Sequence, residues 1–322
     1  MKSNYSAENI PEVALSWASE GEPVVLATVI ETWGSAPRRV GAQMAIGLNG
    51  KMQGSVSGGC IESAVVSEAQ EAIETKSIRL LEYGVSNEDA FSVGLACGGK
   101  IRVMLEPVGH TISIETLQKL VDFKKNKVSV ACVVNIITGE TKLKTEGYSD
   151  RFSGFEEENE IFVTVHNSPV RVVIVGAVHI AQNLVKLAEI ANFDPFVVDP
   201  RSGFANSERF KSETIIEEWP DTALSKISID RNTAIVLLTH DPKLDDPALE
   251  IALNSDAFYI GALGSKKTHA ARINRMKGLG FGEDRTNRIS GPIGLSIGAS
   301  NPAEIAISIL AEIISKLRQD RQ

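Results

Sequence analysis

Val170-Arg171-Val172-Val173-Ile174-Val175-Gly176-Ala177-Val178-His179-Ile180-Ala181 reads as an apolar strand that runs through a glycine turn into a helix. The helical pattern continues to Ala191, and a second strand, Pro195–Val198, ends on Asp199-Pro200-Arg201. This is the layout of a dinucleotide-binding βαβ unit, with a glycine at the turn and an acid about 20 residues later to take a ribose hydroxyl. Gly176 and Asp199 hold those two places. The middle glycine of the G-x-G-x-x-G/A fingerprint, which lets the backbone approach a pyrophosphate, is Val178 here. Gly176 and Ala181 suffice for the turn and for close helix–strand packing. The fold expectation therefore stands, while tight binding of NAD(P) in the usual pose is not expected.

Beyond this unit the pattern after Ser168-Pro169 stays a regular strand–helix alternation, as in a parallel sheet. Strand Ala234–Thr239 ends in His240-Asp241-Pro242, and Phe258–Leu263 ends in Gly264-Ser265-Lys266-Lys267. Both endings fall at the carboxyl edge of the expected sheet, where open α/β sheets bind ligands. Gly264-Ser265 at a helix start, beside two lysines, suits a phosphate. His240 and Asp241 are further candidates there, although a histidine in such a place is more often a loop or capping residue. Gly294-Leu295-Ser296-Ile297-Gly298 matches G-x-S-x-G, but no histidine follows Ser296, so the match is accidental. Asn301-Pro302-Ala303-Glu304 is a capping box opening an amphipathic final helix. Residues 168–322 are thus expected to form a Rossmann-like parallel sheet with helices on both faces.

Residues 1–167 read differently, as a mixed α+β domain. A helical pattern from about Ser6 to Glu20 precedes a buried strand, Pro23–Glu31, and then the loop Thr32-Trp33-Gly34-Ser35-Ala36-Pro37-Arg38-Arg39. Strand Ala42–Leu48 meets Asn49-Gly50, a strong hairpin signal, and the returning strand leads into Gly54-Ser55-Val56-Ser57-Gly58-Gly59-Cys60-Ile61-Glu62. A helix is expected from Ile61 to Thr75. Such a glycine-rich strand-to-helix turn leaves N–H groups free for an anion and places Cys60 where a thiolate is favoured. The plainer alternative is a tight turn whose glycines solve only a packing problem. Because the hairpin is short, Arg38 is expected to reach an anion held at the helix start, unless Arg38 and Arg39 are simply solvated. Cys97-Gly98-Gly99 sets a second thiol at a glycine-rich strand end, before strand Lys100–Glu106. A hairpin around Thr138-Gly139, an exposed polar loop over 147–160 and a strand Ile161–His166 complete the domain.

Bulk properties exclude several classes. The chain has 322 residues, 43% hydrophobic and 23% charged, with a net charge of −8 and no Lys/Arg cluster. Nucleic acid and anionic membranes are therefore not expected partners. With no membrane-length apolar run and no signal-peptide core, the sequence reads as cytoplasmic. Cys60, Cys97 and Cys132 are too few and too scattered for a disulfide framework; Cys132, inside an apolar run, reads as core.

Taken together, Thr32-Trp33-Gly34-Ser35-Ala36-Pro37-Arg38, Gly54 to Glu62, Thr239-His240-Asp241, Tyr259-Ile260-Gly261-Ala262-Leu263-Gly264-Ser265 and Gly291-Pro292-Ile293-Gly294-Leu295 through Pro302-Ala303-Glu304-Ile305-Ala306 resemble the XdhC/CoxI family. The chain departs from that family's pattern at Val178, where glycine is common, and at Ser296, where aspartate is common. The resemblance implies a maturation chaperone that binds the molybdenum cofactor and holds it while a cysteine desulfurase installs its sulfido ligand. It then delivers the cofactor to an apo xanthine dehydrogenase-type molybdoenzyme, and is expected to be a homodimer. On that view Arg38, Ser57, Gly58, Gly59, Cys60, Glu62, Cys97, Gly98 and Gly99 line a cofactor site with Cys60 and Cys97 as metal contacts, and Gly176, Asp199, His240, Asp241, Gly264 and Ser265 line the second domain's edge. The rival class is an NAD(P)-dependent oxidoreductase working through the Rossmann-like domain.

Overall fold

Apolar runs bounded by glycine and proline become hairpins in the first half of the chain and strand–helix alternation in the second. The computed structural model describes residues 9–34, 38–84, 99–147, 153–156, 160–206, 208–210 and 215–319. The chain divides between Ser168 and Pro169 into two units.

In the first unit, α1 (Ile10–Ser19), β1 (Val25–Trp33), β2 (Gln43–Ile46), β3 (Met52–Gly54), α2 (Glu62–Thr75), β4 (Arg79–Tyr83) and β5 (Lys100–Pro107) follow in order. Then come α3 (Ile114–Lys125), β6 (Val130–Asn135), β7 (Thr141–Lys144), β8 (Gly154–Phe155) and β9 (Ile161–His166). One sheet has the order β3-β2-β1-β5-β4 and a second β7-β6-β9-β8, all neighbours antiparallel. Asn49 and Gly50 turn the β2–β3 hairpin with φ of 58° and 76°, the left-handed pair that this dipeptide tolerates. Alternation along β1 sends Leu26 and Ile30 to the face packed by α1 and α3, and Val25, Ala27 and Val29 to the face packed by α2. Val65, Ala69 and Ala72 give α2 its buried stripe. Each fully buried Val, Leu or Ile is worth about 1.5–3 kcal/mol.

The expected exposed loop over 147–160 differs in one place. Phe155 pairs in β8 and meets Phe162 edge-on at 5.2 Å. A two-residue strand is too short to show periodicity, so nothing in the sequence of this polar stretch sets it apart.

The second unit contains β10 (Arg171–Val175), α4 (His179–Ile190), β11 (Asp194–Val198), β12 (Ile215–Ile216), α5 (Pro220–Lys226), β13 (Thr233–Leu237) and α6 (Pro242–Leu253). β14 (Tyr259–Ala262), α7 (Lys266–Gly278), α8 (Glu283–Thr286), β15 (Ile289–Ser290) and α9 (Pro302–Gln319) complete it. The sheet is parallel throughout in the order β12-β11-β10-β13-β14-β15, the doubly wound arrangement in which the chain reverses direction between β10 and β13. Val172 and Ile174 face α4 and α9, while Val173 and Val175 face α5 and α6. Helices therefore cover both faces. No helix among the described residues is long and apolar enough to cross a membrane.

Candidate functional site

The turn from β3 into α2 closes on itself. Glu62, the first residue of α2, is 6% exposed and points its carboxylate back into the loop that precedes it. Oε1 accepts from Val56 N–H at 3.2 Å, Ser57 N–H at 2.9 Å and Ser55 Oγ at 2.6 Å. Oε2 accepts from Gly59 N–H at 2.9 Å and from the Ser57 hydroxyl. The two serines take the rest: Ser55 Oγ accepts from Gly58 N–H, and Ser57 Oγ from Cys60 and Ile61 N–H. Ser55 N–H reaches the carbonyl of Gln43 on β2. Every backbone N–H from Ser55 to Ile61 thus has a partner.

This corrects the expected anion cradle. The loop has the donors, but the chain's own carboxylate fills them. Burial alone would raise the Glu62 carboxyl, yet hydrogen bonds from Ser55 and Ser57 outweigh it and bring the pKa from 4.5 down to about 2. Cys60 also lies outside the first turn, two residues before Glu62, so the helix start acts on Glu62 instead. What the loop presents outward is Gly58, Gly59 and the exposed thiol of Cys60. Gly54 is needed for this path: its φ is +91°, and a Cβ there would lie 2.6 Å from the Gln43 carbonyl oxygen.

Arg38 reaches the same loop, its Nε donating to the Ser55 carbonyl at 3.2 Å. β1 and β3 run in the same direction, so both loops leave one edge of the sheet. Trp33 pairs with Lys100 across β1 and β5, which brings Gly99 to that edge as well. Cys97 and Gly98 lie outside the described residues, as do Ser35, Ala36 and Pro37. A groove of about 710 Å³ opens along this edge, lined by Glu31, Trp33, Gly34, Glu82, Lys100 and Arg102. Trp33 is 45% exposed, and Arg102 is paired with Glu31. Among the described residues no three His, Cys, Asp or Glu side chains group as metal ligands. Cys132 is buried on β6, as its apolar run implies.

The second unit's predicted residues spread along its carboxyl edge. Gly176 has φ +109°, and a Cβ there would meet Thr239 Cγ2 at 2.7 Å, so it secures the close approach of β10 and β13. Asp199 is fully buried and is occupied from within. It accepts from Ala177 N–H at 2.8 Å, Arg201 N–H at 3.0 Å, and Arg201 Nε and Nη2 at 2.8 and 2.7 Å. The carboxylate expected to meet a ribose instead ties the β10 turn to the end of β11. Asp241 caps α6 through Lys243 N–H, and His240 stands exposed beside it with φ +60°. Ser265 caps α7 through Thr268 N–H, after Gly264 at φ +144°.

Two residues on this edge escaped the sequence reading. Asp245 and Arg272 are 2% and 1% exposed, and bond each other at 3.3 Å between α6 and α7. Their signal was available: Arg272 stands four residues before buried Met276, and Asp245 three before buried Ala248 and four before Leu249, so each charge sits on an apolar helix face.

Known proteins resemble the chain along nearly its whole length. Family models for "XdhC and CoxI family" and "XdhC Rossmann domain" match residues 17–84 and 172–313. The molybdenum cofactor insertion chaperone PaoD of Escherichia coli is 30% identical over 310 residues, covering 93% of this chain and 86% of the relative. A probable xanthine dehydrogenase subunit of Bacillus subtilis is 28% identical, covering 91% and 93%. Among solved structures, a xanthine dehydrogenase from Bacillus halodurans superposes with a TM-score of 0.77 at 30% identity, covering 97% and 96% of the two chains. The Glu62-closed turn that presents Cys60 and the doubly wound second unit therefore belong to a member of the XdhC/CoxI family.

Proposed function

We propose that the protein is a maturation chaperone that carries the molybdenum cofactor as cargo, with Cys60 as the contact to the metal. The supporting observation is an exposed thiol at the tip of a loop whose backbone N–H groups are all held, three by Glu62 directly and most of the rest by Ser55 and Ser57, which Glu62 itself fixes. A soft metal suits a thiolate, and a fixed loop lets one exchangeable ligand bind without an ordering cost while still allowing release. The phosphate of the pterin does not find its cradle in that loop. Its cation partners are Arg38, Lys100 and Arg102 along the same edge, and exposed Trp33 offers a flat face for the ring system.

In this reading the chain holds the cofactor in the cytoplasm as a homodimer while a cysteine desulfurase supplies the sulfido sulfur. It then docks an apo enzyme of the xanthine dehydrogenase type. The relatives' names support the insertion role; sulfuration, dimerisation and Cys97 as a second contact extend the proposal.

The test is to purify the protein from molybdenum-fed cells, release and oxidise bound pterin, and measure its fluorescence. A signal is expected that drops in Cys60→Ala. An unchanged signal in both Cys60→Ala and Cys97→Ala removes the thiolate from the account. Reduction of a carbonyl substrate with NADH or NADPH by the purified protein would instead favour the oxidoreductase reading.

A further inference from the structure

The corner between the carboxyl ends of β13 and β14 differs from the two turns already described, because it holds donors that nothing among the described residues satisfies. Thr239 Oγ1 donates to Asp245 Oδ1 at 2.5 Å, and Asp245 Oδ2 accepts from Arg272 Nη2 at 3.3 Å. The same Nη2 donates to the carbonyl of Leu263 at 2.9 Å. The guanidinium is thereby pinned beneath the Leu263-Gly264-Ser265 turn, with 1% of the residue exposed. Its Nε and Nη1 have no hydrogen-bond partner among the described residues. One turn earlier on α7, the buried Nδ1 of His269 has none either.

The guanidinium sets the chemistry of the corner, and His269 Nδ1 can join it as a donor in the Nδ1–H tautomer. Guanidinium nitrogens only donate and the group is always charged, so whatever meets them must accept and is favoured by negative charge. Asp245 balances part of that charge but is itself shared with Thr239. The thirteen-residue α7 begins beside them at Ser265, with exposed Lys266 and Lys267 in its first turn and no acid there. Glycine is required close by: a Cβ on Gly291, next to the end of β15, would stand 2.0 Å from His269 Nδ1. The turn after β10 differs, since its Ala177 N–H is bound to Asp199.

We propose that this corner binds a phosphate-type oxyanion, held by Nε or Nη1 of Arg272 with Nδ1 of His269, and attracted by Lys266, Lys267 and the start of α7. The site does not rest on what the first unit carries, so the two can fail separately. The bound group is either free phosphate or the terminal phosphate of a nucleotide.

The experiment is phosphorus-31 line broadening of inorganic phosphate titrated with the purified full-length chain. Saturable broadening is expected, weakened about tenfold or more in Arg272→Met and about threefold in the double variant Lys266→Gln/Lys267→Gln. The exposed lysines keep the test decisive if Arg272→Met does not fold. Displacement by AMP assigns the anion to a nucleotide, and phosphate retained against AMP assigns it to the free ion; both support the site. No saturable broadening, equal affinity in the lysine variant and the wild type, or a phosphate-soaked crystal with water alone at Arg272 would overturn it.

Discussion

The β3–α2 turn of the first unit and the β14–α7 corner of the second make opposite use of the same parts. Both follow a strand through glycine into a helix. In the first, five donors converge on Glu62, and the loop becomes a closed object that displays one thiol. In the second, a buried cation keeps Nε and Nη1 without a partner among the described residues, and the helix start has lysines where α2 has its glutamate. The β10 turn sides with the first, being filled by Asp199. A glycine-rich strand-to-helix turn is therefore not by itself an anion site. Whether it is one depends on where the chain places its own carboxylates.

The largest effect is expected from Glu62→Ala. It strands the buried N–H groups of Val56 and Ser57 as well as both serine hydroxyls, and should cost about 3–5 kcal/mol in urea unfolding. Amide exchange at Val56, Ser57 and Gly59 should accelerate more than exchange in β1. If those amides stay protected, the loop is not built on Glu62 and the contrast between the two corners collapses.

A pH series sharpens the same point within the first unit. Glu62 has a folded pKa of about 2 against an ordinary 4.5, so its contribution is present above 4.5 and is lost as pH falls through about 2. That amounts to about 3 kcal/mol. Glu106 is the reverse: it is 2% exposed, and burial raises it to about 7 against a single opposing hydrogen bond from Thr141. Its contribution is fully present below 4.5 and is lost as pH rises through about 7, again by about 3 kcal/mol. Glu106→Gln should flatten stability between pH 5 and pH 8 while leaving the acid limb to Glu62. An unaltered slope in that variant would mean that another group titrates there.

The smallest contrast lies between two glycines with nearly the same φ. Gly176 and Gly59 have φ of +109° and +112°, but a Cβ on Gly176 strikes Thr239 whereas one on Gly59 meets nothing within 4 Å. Gly176→Ala is expected to cost about 3 kcal/mol and Gly59→Ala about 1 kcal/mol, since only the first adds a collision to the strain. Equal costs would show that conformation alone decides at both turns.

Most of the fold was legible because it rests on periodicity. The apolar strands at Val170, Ala234 and Phe258 and the Asn49-Gly50 hairpin each carry a local signal that packing reinforces. The capping box at Asn301 held with one change: Glu304 reaches back to Ser300 N–H, and Asn301 Oδ1 takes Ala303 and Glu304 N–H. β12 and β8 were not legible, since two residues cannot show a period. At the site, residue types were readable and their partners were not. Glu62 stood inside the motif, but nothing in the sequence says that its carboxylate turns back into the loop. Asp199 had the right spacing for a ribose, and only the structure shows Arg201 closing on it. Arg272 could have been flagged as a charge on an apolar helix face, yet its orphaned nitrogens depend on a strand end nine residues before it.

Cys60, held out by the Glu62-closed loop, is the proposed contact to the cargo metal. Molybdenum-edge X-ray absorption of the protein purified with its cofactor tests this most directly, comparing wild type with Cys60→Ser. The variant is expected to lose one sulfur neighbour of molybdenum, in whatever fraction of cofactor it retains. Identical sulfur shells in the two proteins would contradict it.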